Sequence, residues 1–274
     1  MLVPVDGHHL RTVDVGRGTP LLLHDGWVAS WDLWLPLIEL LQHDWRCLAL
    51  DHRGTGASTF PAEAIARQSL VDDVFRVLDA HQVGRCVVAG ESLGSLVVLQ
   101  AVLQDPSRFE GLVLVGGFPR TLPVSPSTGE AVLADWPGYV DSFVSACLPE
   151  PDAGPLHRWG VQTLLPAGPE AAVRMTAVHA GVAPDLAAVP VPTLVVHGAL
   201  DAIAPLAGAH ELAAAIPDAR LVVLDDAGHV PILTRPRQVA DAVTAWWSDV
   251  LAAQDTQLPR QSRVELPPEG PSAP

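Results

Sequence analysis

The residues best placed to do chemistry lie in Gly90-Glu91-Ser92-Leu93-Gly94. This G-x-S-x-G follows the apolar run Cys86 to Ala89 and precedes a helical pattern of Leu96, Val97 and Ala101. A serine held on a sharp turn between strand and helix is a nucleophile elbow. Side chains two residues either side of Ser92 would collide in so tight a turn, which glycine avoids. The serine then sits at a helix N-terminus, where free N–H groups and the dipole favour developing negative charge. The N–H of Leu93 becomes one oxyanion donor. The competing reading is a glycine-rich turn with an idle serine, and the strand–turn–helix context speaks against it.

A serine hydroxyl is a weak nucleophile near pH 7 and needs a base, which needs an acid to fix its tautomer. Two later apolar runs end in such residues. Thr193 to Val196 leads into His197-Gly198-Ala199-Leu200-Asp201, and Leu221 to Leu224 leads into Asp225-Asp226-Ala227-Gly228-His229. Ser92 is thus read as nucleophile, His229 as base and Asp201 as the orienting acid. Asp225 and Asp226 are rival acids, but they stand too close in sequence to His229 to reach it from behind. Of the other histidines, His24 falls in the oxyanion region and His197 in the framework of its loop. His8, His9, His43 and His81 fall on a hairpin or helix edges. No HExxH or HxH pair with a carboxylate partner occurs, so neither metal nor cofactor is expected.

The elements that must position these groups follow from hydrophobic periodicity. Leu2 to Val5, an Asp6-Gly7 turn and the alternating Leu10 to Val15 read as a β-hairpin. Leu21-Leu22-Leu23, Cys47 to Leu50, Cys86 to Ala89, Leu112 to Val115, Thr193 to Val196 and Leu221 to Leu224 read as strands buried on both faces. Helical patterns lie between them: Trp31, Trp34, Leu35 and Ile38 with Ser30 as cap, Leu70 to Leu78, and Val239 to Trp247. The whole is a doubly wound, mostly parallel eight-stranded α/β sheet. From about Phe118 to Ala188 strand-like runs vanish while prolines and aromatics persist, so residues 118–188 are expected to form an inserted helical cap. The core is then 1–117 and 189–252. Residues 253–274, poor in apolar side chains and rich in proline, are expected to be a disordered tail.

Taken together, Gly90–Gly94, His197-Gly198 with Asp201 and Pro205, and Gly228-His229 resemble the α/β-hydrolase superfamily over about Leu10 to Val250. Asp51-His52-Arg53-Gly54-Thr55-Gly56-Ala57-Ser58 resembles that family's loop after its fourth strand, a structural signature. The group it resembles is the small esterases, enol-lactonases and related cap-bearing hydrolases. The resemblance implies a second oxyanion donor just after the glycine of His24-Asp25-Gly26-Trp27, which is the N–H of Trp27. Asp25 is an addition to the family's His-Gly pair, and its charge would oppose an oxyanion hole unless turned away. Ser95 stands where a glycine often follows. Glu91 either raises the pKa of His229 or, the favoured reading, binds a neighbouring backbone group. Gly26, Trp136, Phe143, Trp159 and Val230 are the expected pocket residues.

Composition narrows the function classes. With 16 basic and 31 acidic side chains the formal charge is −15, which repels phosphate backbones and anionic lipid, so nucleic acid and membrane are not expected partners. The 49% hydrophobic residues can build a sizeable core. Three cysteines without a CxxC argue against a disulfide framework, and no secretory signal or membrane-spanning run is read. A cytoplasmic location, a small-molecule substrate and an allowed homodimer complete the picture. The expected activity is cleavage of a small, mainly apolar ester, lactone or thioester. Rival readings on the same scaffold are a lyase or cofactor-free oxygenase, or a binding protein without turnover.

Overall fold

Asp6 and Gly7 both adopt positive φ, 50° and 80°, and fold strand β1 (Leu2–Val5) back on β2 (His8–Gly16) with Val5 opposite His8. That is the geometry for which Asp-Gly is favoured in two-residue hairpins. A computed structural model describes residues 1–121 and 126–257. After the hairpin come β3 (Thr19–His24), α1 (Leu35–Leu41), β4 (Trp45–Leu50), α2 (Arg67–Ala80), β5 (Cys86–Glu91), α3 (Leu93–Gln104) and β6 (Phe109–Val115). Helices α4 (Pro126–Ala134), α5 (Trp136–Cys147), α6 (Gly154–Leu164) and α7 (Pro169–His179) follow. The chain then returns to β7 (Thr193–Gly198), α8 (Leu206–Ala215), β8 (Ala219–Leu224), α9 (Pro231–Thr234) and α10 (Pro236–Gln257).

The eight strands form one doubly wound sheet in the order β1-β2-β4-β3-β5-β6-β7-β8. β2 runs antiparallel to both neighbours, and every pairing from β4–β3 to β7–β8 is parallel. β5 and β7 are buried along their whole length, which is why both read as unbroken apolar runs. β8, at the edge, is only half buried. Among the flanking helices α1 packs on α10 and α2 on α3. Cys47 and Cys86 lie in this core, where burial pushes both thiols up to about 12 and leaves them unreactive. No helix of the described residues is long and apolar enough to cross a membrane.

Local readings needed correction at two places. Ser30 precedes the helical turn at Trp31, but its hydroxyl donates to Asp32 Oδ2 at 3.1 Å and caps no backbone N–H. An acceptor two residues on outcompetes the capping donors. At the other end α10 continues past residue 253 to Gln257, so helix replaces the expected disorder there, although 253–256 are exposed. Helical hydrogen bonds propagate beyond the last packed turn at little cost. The rest of that expected tail, 258–274, lies outside the described residues.

The Asp51–Ser58 loop is a structural brace. Asp51 accepts from the N–H groups of Trp31 and Ala57. Arg53 pairs bidentately with buried Asp73 at 2.6 and 3.0 Å and also reaches Asp6 and the carbonyl of Ala64. One guanidinium thereby ties the hairpin, the loop and α2 together.

Candidate active site

Ser92 closes β5 with φ 50° and ψ −123°, a strained conformation for a non-glycine residue. The strain is imposed by the turn from β5 into α3. A Cβ on Gly90 would meet the carbonyl oxygen of Gly94 at 2.6 Å, and one on Gly94 would meet that of Asp25 at 2.3 Å. The elbow glycines are therefore required by close backbone approach as well as by the turn. Ser95 uses its hydroxyl to donate to the carbonyl of Gly90 at 2.9 Å, bracing the same turn.

Three strand ends converge there. Nε2 of His229 lies 2.8 Å from Oγ of Ser92, and Nδ1 lies 2.7 Å from Oδ2 of Asp201. With Nδ1–H donating to Asp201, Nε2 is left to accept the serine proton. Oδ1 of Asp201 accepts from the N–H groups of Ile203 and Ala204, both at 2.8 Å. Burial works against its ionisation, but the hydrogen bond and charge of His229 and the Ala204 N–H outweigh it and hold the carboxyl below its usual range. Burial also pulls on His229, in the opposite sense. The Asp201 hydrogen bond and the charges of Glu91 and Asp201 prevail and raise the imidazole above its ordinary value. His197 frames the loop, its Nε2 being 2.7 Å from the carbonyl of Ala204 and 3.3 Å from Oδ2 of Asp201. Asp225 and Asp226 are exposed, and Asp226 is engaged by Arg235 at 2.7 Å.

The loop after β3 lies against the elbow, since a Cβ on Gly26 would meet Ser92 Cβ at 2.8 Å. The Trp27 N–H has no acceptor among the described residues. The Leu93 N–H opens α3, where no intrahelical acceptor exists. Both are available beside Ser92. Asp25 is fully buried toward the Trp34 indole, although neither group meets a partner at hydrogen-bond geometry. Burial, with the nearby charges of Asp51 and Glu91, pushes its carboxyl well up, which favours the neutral acid over an anion. His24 is buried too, stacked 5.5 Å from His52, and burial lowers it to about 3.

Glu91 does both things the sequence offered as alternatives. Its Oε2 accepts from the N–H of Gly26 at 3.2 Å, and its Oε1 faces Nε2 of His229 at 3.8 Å. Burial raises it to about 7, against the pull of His229 and the Gly26 N–H.

A largely apolar cavity opens onto Ser92 and His229. Gly26, Phe143 and Val230 line it, together with Trp27, Leu33, Val144, Leu148, Leu164 and Leu233. Trp136 and Trp159 do not line it, which corrects that expectation. Trp136 stands at the start of α5, edge-on to Trp27 at 5.8 Å, with its N–H donated to the carbonyl of Leu165. On α6 the residues facing the cavity are Gly160 and Leu164, one turn apart, and Trp159 points about 100° away from that line. Leu148 and Leu164 carry no pattern in the sequence that marks them as lining.

A family profile described as alpha/beta hydrolase fold matches residues 19–154, and one described as TAP-like protein matches 172–251. The chain is 30% identical to a pimeloyl-acyl-carrier-protein methyl ester esterase of Aromatoleum aromaticum, over 82% of this chain and 96% of that one. It is also 30% identical to a protein of Variovorax paradoxus named as a carbamate hydrolase, over 82% and 90% of the two chains. Among solved structures, a thermophilic esterase from Thermogutta terrifontis matches with a TM-score of 0.80 at 27% identity, covering 91% of this chain and 97% of that one. The enol-lactonase from Burkholderia xenovorans shares the fold, with a TM-score of 0.82 at 21% identity over 90% and 100% of the chains. On profile, relatives and architecture together, the chain belongs to the α/β-hydrolase superfamily.

Proposed function

We propose that this chain is a serine hydrolase cleaving a small, mainly apolar carboxylic ester, lactone or thioester through an acyl-enzyme on Ser92. The observation that carries the reading is the unbroken hydrogen-bond chain from Asp201 through His229 to Ser92, opening onto an apolar cavity.

In the first step Oγ of Ser92 attacks the carbonyl carbon while Nε2 of His229 takes the hydroxyl proton. The carbonyl electron pair moves to oxygen, where the N–H groups of Leu93 and Trp27 receive it. Collapse of the tetrahedral intermediate expels the alkoxide or thiolate, to which the imidazolium returns the proton. Water then attacks the acyl-serine with His229 again as base, releasing the acid and restoring Ser92. Asp201 stays ionised throughout and holds the imidazole in the required tautomer.

Support comes from three sides. Among the described residues, the cavity offers charged or hydroxyl side chains at Glu91, Ser92 and His229 alone, which suits a substrate apolar away from its reacting carbonyl. Relatives named for ester and carbamate hydrolysis act on an acyl carbon bearing a heteroatom leaving group, the bond class proposed here. Phe143, Val144 and Leu164 reach the cavity from the helical insertion, which suits a cap over residues 118–188 that selects the acyl group.

The test is fluorophosphonate labelling of the wild type and Ser92→Ala, with hydrolysis of a p-nitrophenyl ester series. Labelling and turnover of the wild type, both lost in Ser92→Ala, are expected. A wild type that resists the label sinks the reading. Labelling without hydrolysis of any ester, lactone or thioester redirects it to a non-hydrolytic reaction on the same scaffold.

A further inference from the structure

The loop carrying His229 is held from the helical insertion as well as from the sheet. Two consecutive backbone N–H groups, those of Gly228 and His229, donate to Oε1 of Glu150 at 2.8 Å and to the carbonyl of Cys147 at 3.0 Å. Cys147 ends α5, and Glu150 lies in the short connection that follows it. The contact is close on two sides. A Cβ on Gly228 would meet Cδ of Pro149 at 2.3 Å, and one on Gly198, at the end of β7, would meet the carbonyl oxygen of Gly228 at 2.1 Å. Gly228 is thus wedged between the sheet and the insertion, and only glycine fits.

Of the two hydrogen bonds, the one to Glu150 is made by a side chain. Glu150 is 4% exposed, does not line the cavity, and its Oε2 has no hydrogen-bond partner among the described residues, although Arg235 feels its charge. Burying a carboxyl group with an unsatisfied oxygen is costly, and its one described hydrogen bond goes to the residue preceding the base.

We infer that Glu150 is a positioning residue for catalysis: by holding the Gly228 N–H it sets where His229 presents Nε2 to Ser92. This rests on the proposed reading of His229 as the base. The insertion then has a part in the chemistry itself, beyond selecting the acyl group. A base displaced by a fraction of an ångström from its attack geometry slows every substrate alike, because the error lies in proton transfer and not in binding.

The experiment compares Glu150→Ala and Glu150→Gln across p-nitrophenyl esters of increasing acyl length, with thermal unfolding as the check on folding. Glu150→Ala is expected to lower kcat for every ester by one common factor, on the order of 10- to 100-fold, with KM little changed. Fluorophosphonate labelling should slow by the same factor. Glu150→Gln keeps an oxygen acceptor for the Gly228 N–H and should stay within about threefold of wild type. Unchanged kcat in folded Glu150→Ala overturns the inference, as does a shift of chain-length preference with the best ester untouched. A folded Glu150→Gln as slow as Glu150→Ala overturns it too. If Glu150→Ala does not fold, Glu150→Asp takes its place, since it withdraws the acceptor by one methylene. The same uniform loss is expected, and unchanged kcat overturns the idea. Failure of the underlying reading looks different, because Ser92→Ala would then keep its turnover.

Discussion

Oε1 of Glu91 lies 3.8 Å from Nε2 of His229, while Oδ2 of Asp201 lies 2.7 Å from Nδ1 of the same ring. The imidazole therefore stands between two buried carboxyl groups, one hydrogen-bonded and the other facing the nitrogen that must take the serine proton. Asp25 and Cys147 also face Glu91 electrostatically, from the loop after β3 and from the end of α5. An ionised Glu91 favours protonated His229, and a base is useful only while neutral. The rising limb of kcat/KM against pH accordingly sits higher than the imidazole alone would place it, and Glu91, brought to about 7, sheds its proton in steps coupled to those of His229.

Glu91→Gln keeps an oxygen that can accept the Gly26 N–H but removes the charge. Its acidic limb should move to lower pH by about half a unit or more and follow a single ionisation. Superimposable pH–rate profiles for the two proteins would show that the two groups do not communicate.

Asp201→Asn should cost about 10⁴-fold in kcat, because an amide N–H facing Nδ1 favours the wrong tautomer. Asp225→Asn and Asp226→Asn should stay within a few fold, since both residues are exposed and Asp226 is engaged by Arg235. Steady-state kinetics on one good ester separates the three, and equal losses would place the acid elsewhere.

Phe143→Ala opens the cavity wall beside Trp27, with which it packs at 4.6 Å between ring centroids. The preferred acyl chain should lengthen, while the best ester still turns over within about tenfold of the wild-type rate. Trp159→Ala, on a residue outside the lining, should leave the ranking of esters as it was. A reordered ester series for Trp159→Ala would contradict this geometry of α6.

Asp73→Ala strands Arg53, whose side chain is 3% exposed and loses its bidentate partner. Exposed Asp6 then offsets the buried charge only in part, and the loss should cost about 3 kcal/mol in denaturant unfolding. Turnover of the folded fraction should hardly change, because neither Arg53 nor Asp73 lines the cavity at Ser92. Loss of kcat without loss of stability would give that loop a catalytic part.

Much of the sheet and its strand-end residues could be read in the sequence because each rests on a local rule. Continuous apolar runs mark strands buried on both faces, Asp-Gly sets a hairpin, and G-x-S-x-G at a strand–helix junction places Ser92. The order of Ser92, Asp201 and His229 along successive strand ends then brings them to one edge of a parallel sheet, as the structure shows by hydrogen-bond distances. What only the tertiary structure decided are contacts between segments that no periodicity links. Trp136 and Trp159 are aromatic and near the site in sequence order, yet helix rotation and a hydrogen bond to Leu165 turn them from the cavity. Asp25 could face the oxyanion hole or leave it, and packing took it to Trp34. Glu91 could hold a backbone N–H or face the base, and its two oxygens do both because Gly26 and His229 arrive from opposite sides. The grip of Glu150 on Gly228 joins residues 78 apart, and such closeness arises only when the whole core has packed.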